Sequence, residues 1–179
     1  MLSMVPSWTA MHPLVVHFPI ALLLVTPLLI VCSVMFPTQR TAFGLSALLL
    51  MGVGTLGAAV AVATGNAAGE LADRSPQVAR VLENHEELAE STRMVFALLT
   101  VVFAAIVVAP LVRGRSWPSG VYAVLIGVFL VVYSGGALLL VDTAHQGGRL
   151  VHQFGMHAPV APLPTGGVST AGVNAGNRK

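Results

Sequence analysis

Charge is what this sequence has least of. Lys, Arg, Asp and Glu make up 9% of its 179 residues, 55% are hydrophobic, and the mean hydropathy is +0.83. Such a composition excludes an ordinary soluble domain and points to one compact membrane domain. The nine basic residues are scattered, and without a basic cluster there is no footprint for nucleic acid. Cysteine is nearly absent. Cys32 stands alone, which rules out an intrachain disulfide and a cysteine-based zinc or iron–sulfur site, so it reads as a small buried apolar residue. No Lys or Arg precedes Arg40, whereas a cleaved signal peptide needs a positive leader and a short apolar run. The first apolar run is therefore expected to be a retained span. Spacing supports no Ser/His/Asp or Cys/His grouping, and His85-Glu-Glu-Leu-Ala-Glu90 lacks the second histidine of a zinc-protease helix. Hydrolytic and transferase chemistry are left without a constellation.

What is present is four long apolar runs. The expected fold class is an all-α membrane protein, a bundle of four transmembrane helices with a short amphipathic interfacial helix before the third. The spans are expected at about 13–36, 42–64, 92–112 and 118–141, each long enough for a hydrocarbon core of roughly 30 Å. Pro13 suits a first helical position. Pro19 and Pro27 interrupt the ladder of the first span and predict kinks, with the Val15 carbonyl left open near Pro19. The second span is rich in glycine and alanine, which lets neighbouring backbones approach closely. Residues 65–90 hold six of the seven acidic residues. Within them Ser75-Pro76 is a helix start, and Val78, Leu82, His85 and Leu88 or Ala89 recur at helical spacing, predicting an amphipathic helix over about 76–90 that lies on the membrane. Trp8 and Trp117 suit the headgroup layers. Residues 158–179, rich in Pro, Gly, Ala, Ser and Thr, read as a flexible tail.

Four spans return the chain to the face where it starts, and all six histidines belong to that face: His12, His17, His85, His145, His152 and His157. The opposite face has short loops with Arg40, Arg113 and Arg115 and no acid, which the positive-inside rule places in the cytoplasm. Both termini and the histidine layer are thus expected outside it. Ionisable side chains at membrane depth mark candidate sites. His12 and His17 lie five residues apart, about 140° around an ideal helix. Asp142 and His145 are three apart on one helical face, where the carboxylate could orient the imidazole.

The residues that carry this pattern also carry a resemblance. The opening HPLVVHFPIAL, the ATGNAAG turn after the second span, His85 before the third and GGRLVHQFG after the fourth are similar to a bacterial family of small four-span membrane proteins catalogued as domain of unknown function 2231. The resemblance covers about the first 155 residues in consistent order. It implies mainly a fold and a bacterial inner-membrane location. Relatives joined to Rieske-type or cytochrome c-type modules imply redox surroundings. His152 stands where relatives often have tyrosine and Phe154 where histidine is common, so only His12, His17 and His85 carry over as site residues.

Three functions fit such a layer. A b-type haem needs two imidazoles from different helices across a slot; His17 with His85 or His145 would supply them, and Asp142 would tune the centre. An all-nitrogen copper or zinc site would draw on His12, His17, His85 and His145. A non-catalytic accessory subunit of a larger membrane electron-transfer complex would use the histidines only structurally. In each case the partners are the lipid bilayer and other membrane or extracytoplasmic redox proteins.

Overall fold

The computed structural model describes residue 8, residues 11–72 and residues 75–156. His157 and the tail expected over 158–179 lie outside the described residues. Among the described residues five α-helices follow one another: α1 (His12–Val15), α2 (His17–Met35), α3 (Arg40–Gly69), α4 (Pro76–Val112) and α5 (Ser119–His152). A 3-10 turn over Pro37–Gln39 joins α2 to α3. With α1 and α2 taken as one span, four helical segments are long and apolar enough to cross a membrane. Neighbouring helices pack α2 on α3, α3 on α4, α4 on α5 and α5 on α2, a four-cornered bundle with α2 and α4 on one diagonal.

The helices run past the expected ends of the spans. At 1.5 Å per residue, α3, α4 and α5 measure about 45, 55 and 51 Å, against a hydrocarbon thickness of roughly 30 Å. Both connections at the Arg40 end are short, so the excess projects from the starting face. The helix expected over 76–90 is the first part of α4 and continues into the third span as one element. No glycine or proline separates Val78 from Ala109, so nothing breaks the hydrogen-bond ladder. Its apolar stripe faces protein: Val78 and Leu82 cluster with Leu150 of α5, flanked by Phe154 and Met156. ATGNAAG is likewise the last part of α3 rather than a turn.

Within the membrane the core is made by Leu23 and Ile30 of α2, Ala47 and Met51 of α3, Phe96 and Phe103 of α4, and Ile126 and Tyr133 of α5. The small residues of α3 admit their neighbours closely. A Cβ on Gly54 would lie 2.9 Å from the Leu23 side chain, and one on Gly57 3.4 Å from Pro19.

The internal prolines are answered by specific donors. Pro27 has no N–H for the carbonyl four residues back, that of Leu23, and the Tyr133 hydroxyl donates to this oxygen at 2.6 Å. Pro110 leaves the Ile106 carbonyl in the same state, and the Trp117 indole N–H donates to it at 3.0 Å. The expected opening near Pro19 is a one-residue interruption at Val16 between α1 and α2. The α4 end is closed by Gly114 at φ +60°, with Arg115 N–H donating to Pro110 O at 3.0 Å, a left-handed cap that favours glycine. Arg40 ties the two short loops together, donating to Trp117 O at 3.1 Å and Ser119 Oγ at 3.2 Å while lying over the Tyr122 ring.

Candidate functional site

The structure brings two of the candidate histidines together at the starting end of the bundle. His12, the first residue of α1, and His85, two and a half turns into α4, meet with ring centroids 6.4 Å apart and planes at 79°. They approach across the bundle from opposite corners, and both are half-buried.

Each ring is anchored in the same way to the membrane span that follows its own. His12 Nδ1 lies 2.9 Å from Ala61 O of α3, and His85 Nδ1 lies 3.0 Å from Thr143 O of α5. A carbonyl only accepts, so Nδ1 is the protonated nitrogen in both rings and neutral imidazole leaves Nε2 with a free lone pair. Four residues beyond each carbonyl stands a glycine. A Cβ on Gly65 would lie 2.9 Å from Cε1 of His12, and a Cβ on Gly147 3.0 Å from Cε1 of His85. The missing side chains form the notches in which the rings sit. Hydroxyls complete the surroundings: Thr64 Oγ1 is 3.3 Å from His12 Nδ1. Thr143 Oγ1 donates to Leu139 O at 2.8 Å and pairs with Thr92 Oγ1 at 2.8 Å. Thr64 and Thr92 are themselves buried.

The other candidates stand apart. His17 is exposed and donates Nδ1–H to Pro13 O, 2.8 Å away on its own chain segment. Asp142 and His145 are exposed on α5, and no hydrogen bond or ion pair joins them among the described residues. His152 is exposed at the end of α5. Among the described residues no three His, Cys, Asp or Glu side chains converge as a metal-holding group, so the four-histidine arrangement is not assembled.

Beside the pair the surface is acidic. Asn66, next to Gly65, and Glu86, next to His85, line a cavity of about 650 Å³ together with Glu70, Glu87, Glu90 and Ser91. Glu90 is paired with Arg93 at 2.6 Å.

The family model described as "Predicted membrane protein (DUF2231)" matches residues 9–159. The chain belongs to the DUF2231 family. Both site histidines and both glycine notches fall inside the matched region of this DUF2231 protein. No curated protein and no solved structure matches the chain.

The pairing of His12 with His85, and the parts played by Gly65, Gly147, Thr64, Thr92 and Thr143, go beyond what the sequence singled out. One signal was available. The 140° between His12 and His17 lets only one of them face the bundle, and the glycines at 65 and 147 mark where a ring can be received.

Proposed function

We propose that the chain is a membrane-bound component of a redox system in which His12 and His85 together ligate one metal-centred cofactor. The observation that carries this reading is the anchoring of both rings through Nδ1, which fixes their tautomers and leaves two Nε2 lone pairs uncommitted among the described residues. That is the arrangement of a metal-bound histidine, whose other ring nitrogen donates to a carbonyl or carboxylate. The ring separation agrees with it, since two imidazoles sharing one metal at about 2.0 Å per bond have their centres roughly 6 Å apart.

A b-type haem fits this donor set, with His12 taking the place expected for His17. When bound it would supply one-electron chemistry, and His12 and His85 are the residues that would hold it. The space is less favourable. The rings are near edge contact, so a flat macrocycle between them requires the α1–α3 and α4–α5 halves to part. Zinc is disfavoured more strongly, because it favours four ligands. In this reading the histidine end faces the extracytoplasmic side of a bacterial inner membrane, with Arg40, Arg113 and Arg115 at the cytoplasmic end, and the centre exchanges electrons with a partner redox protein.

The glycine notches favour a second reading, in which the imidazoles are clamps locking the helices of an accessory subunit. Asparagine separates the two. Its side-chain N–H can replace Nδ1–H toward the carbonyl, while nothing replaces Nε2. Protein purified from membranes is analysed for bound metal and for its oxidised and dithionite-reduced spectra, as wild type, H85N and H17N. Metal or haem present in wild type and H17N but missing from a folded H85N supports the redox reading. Absence of both from wild type leaves the clamp.

A further inference from the structure

The two halves of the chain repeat one another. His85 follows His12 by 73 positions, and the same shift carries buried Leu23, Thr26 and Ile30 of α2 onto buried Phe96, Leu99 and Phe103 of α4. A shift of 82 carries Ala47, Met51 and Ala58 of α3 onto Phe129, Tyr133 and Leu140 of α5. Burial alone would recur at other shifts, because a bundle seam has a period of about 3.5 residues. The register is fixed by chemistry. The shift of 82 also carries the buried glycine Gly54 onto buried Gly136, the accepting carbonyl of Ala61 onto that of Thr143, and the notch at Gly65 onto the notch at Gly147. The helix order agrees, since α2 and α4 occupy one diagonal and α3 and α5 the other. The bundle is therefore two copies of a helical hairpin about a pseudo-twofold axis along its length, and His12 and His85 are one position met twice.

From this we propose that the group held by His12 and His85 is a single soft monovalent cation, Cu(I), bound by the two Nε2 atoms on the pseudo-twofold axis. The proposal rests on the paired-ligand reading above and names its ligand. A site generated by a twofold axis offers two equal neutral donors, and Cu(I) is the biological ion that two imidazoles alone can satisfy, in a near-linear arrangement. Imidazole is among the ligands copper accepts. Zinc and Cu(II) require additional ligands, and no third His, Cys, Asp or Glu joins a metal-holding group among the described residues. The centroid separation of 6.4 Å is matched by one ion between two nitrogens at about 2.0 Å each, without moving the hairpins apart. A monovalent ion between neutral rings also brings the least charge to the membrane boundary. The acidic cavity beside the pair draws cations to the same end.

The test uses the full chain in detergent, titrated anaerobically with Cu(I) against a chromogenic Cu(I) chelator, with X-ray absorption on the loaded protein. The expected result is one Cu(I) per chain with a two-nitrogen, near-linear signature. Affinity should fall more than tenfold, and by similar factors, in H12N and H85N, whose folding is checked by circular dichroism, and should be unchanged in H17N and H145N. Cu(I) retained in both H12N and H85N overturns the proposal, as does coordination by three or more ligands. Wild type that ignores Cu(I) but holds haem or zinc through the same two histidines overturns the ligand and leaves the paired-ligand reading standing. Wild type that binds none of the three overturns both.

Discussion

Adding one methyl group at Gly147 probes the site more sharply than removing a histidine. In G147A the new Cβ would stand 3.0 Å from Cε1 of His85, whereas unstrained carbon contacts begin near 3.5 Å. The ring must retreat by about half an ångström, which stretches its 3.0 Å bond to Thr143 O to about 3.5 Å, past useful hydrogen-bond length. Losing that bond at a half-buried donor costs about 1–2 kcal/mol, and crowding adds roughly 1 kcal/mol or more. The gain in helix propensity from Gly to Ala returns at most about 1 kcal/mol. The net expectation is a loss of about 1–2 kcal/mol. Gly148 is the internal control, since a Cβ there meets nothing within 4 Å, so G148A keeps the propensity gain and should be neutral or slightly stabilised. Reversible unfolding in mixed detergent micelles measures both. If G147A and G148A unfold together, at or above the wild-type midpoint, the notch does not hold His85 and the reasoning fails.

Other substitutions follow from the same structure. G65A should resemble G147A in direction, because its Cβ would lie 2.9 Å from His12 Cε1, and the same unfolding assay reads it. Y133F removes the substitute donor for the Leu23 carbonyl opposite Pro27; a cost of about 0.5–2 kcal/mol is expected from the membrane range for such bonds, and a neutral effect would show that the proline gap closes by other means. G54L should destabilise by more than about 2 kcal/mol through overpacking against Leu23, with loss of yield as the simplest readout. H17A, at an exposed position, should shift stability by less than about 0.5 kcal/mol; a larger loss would place His17 in the packed structure after all.

The four spans were legible because hydrocarbon demands long apolar runs, and such runs survive any local detail of sequence. Helix ends were not. When α3 and α5 leave the membrane their hydropathy falls, but their backbone bonding and packing continue, so Gly69 and His152 lie beyond where the apolar pattern stops. The polar segment 76–90 misled for a related reason. A stripe such as Val78, Leu82 and His85 can face lipid headgroups or a neighbouring helix equally well, and only tertiary structure supplies α5 as its partner. The residue type and the shared end of the bundle were legible, since His12 and His85 do meet there. Its pairing was not, since His12 and His85 are separated by 73 positions and meet across a diagonal. The motif HPLVVH drew attention to His17, yet two histidines on opposite sides of a helix cannot both turn inward, and Pro13 gives His17 an acceptor within its own segment.

The most direct test of the account is the protonation pattern of the two rings. Long-range nitrogen–proton NMR correlations on histidine-labelled protein, assigned with H12N and H85N, report which ring nitrogen carries the proton. Both rings should be neutral Nδ1–H tautomers whose Nε2 resonances shift when the site is filled. Nε2–H tautomers at His12 and His85 would contradict the anchoring geometry and, with it, the paired-ligand site.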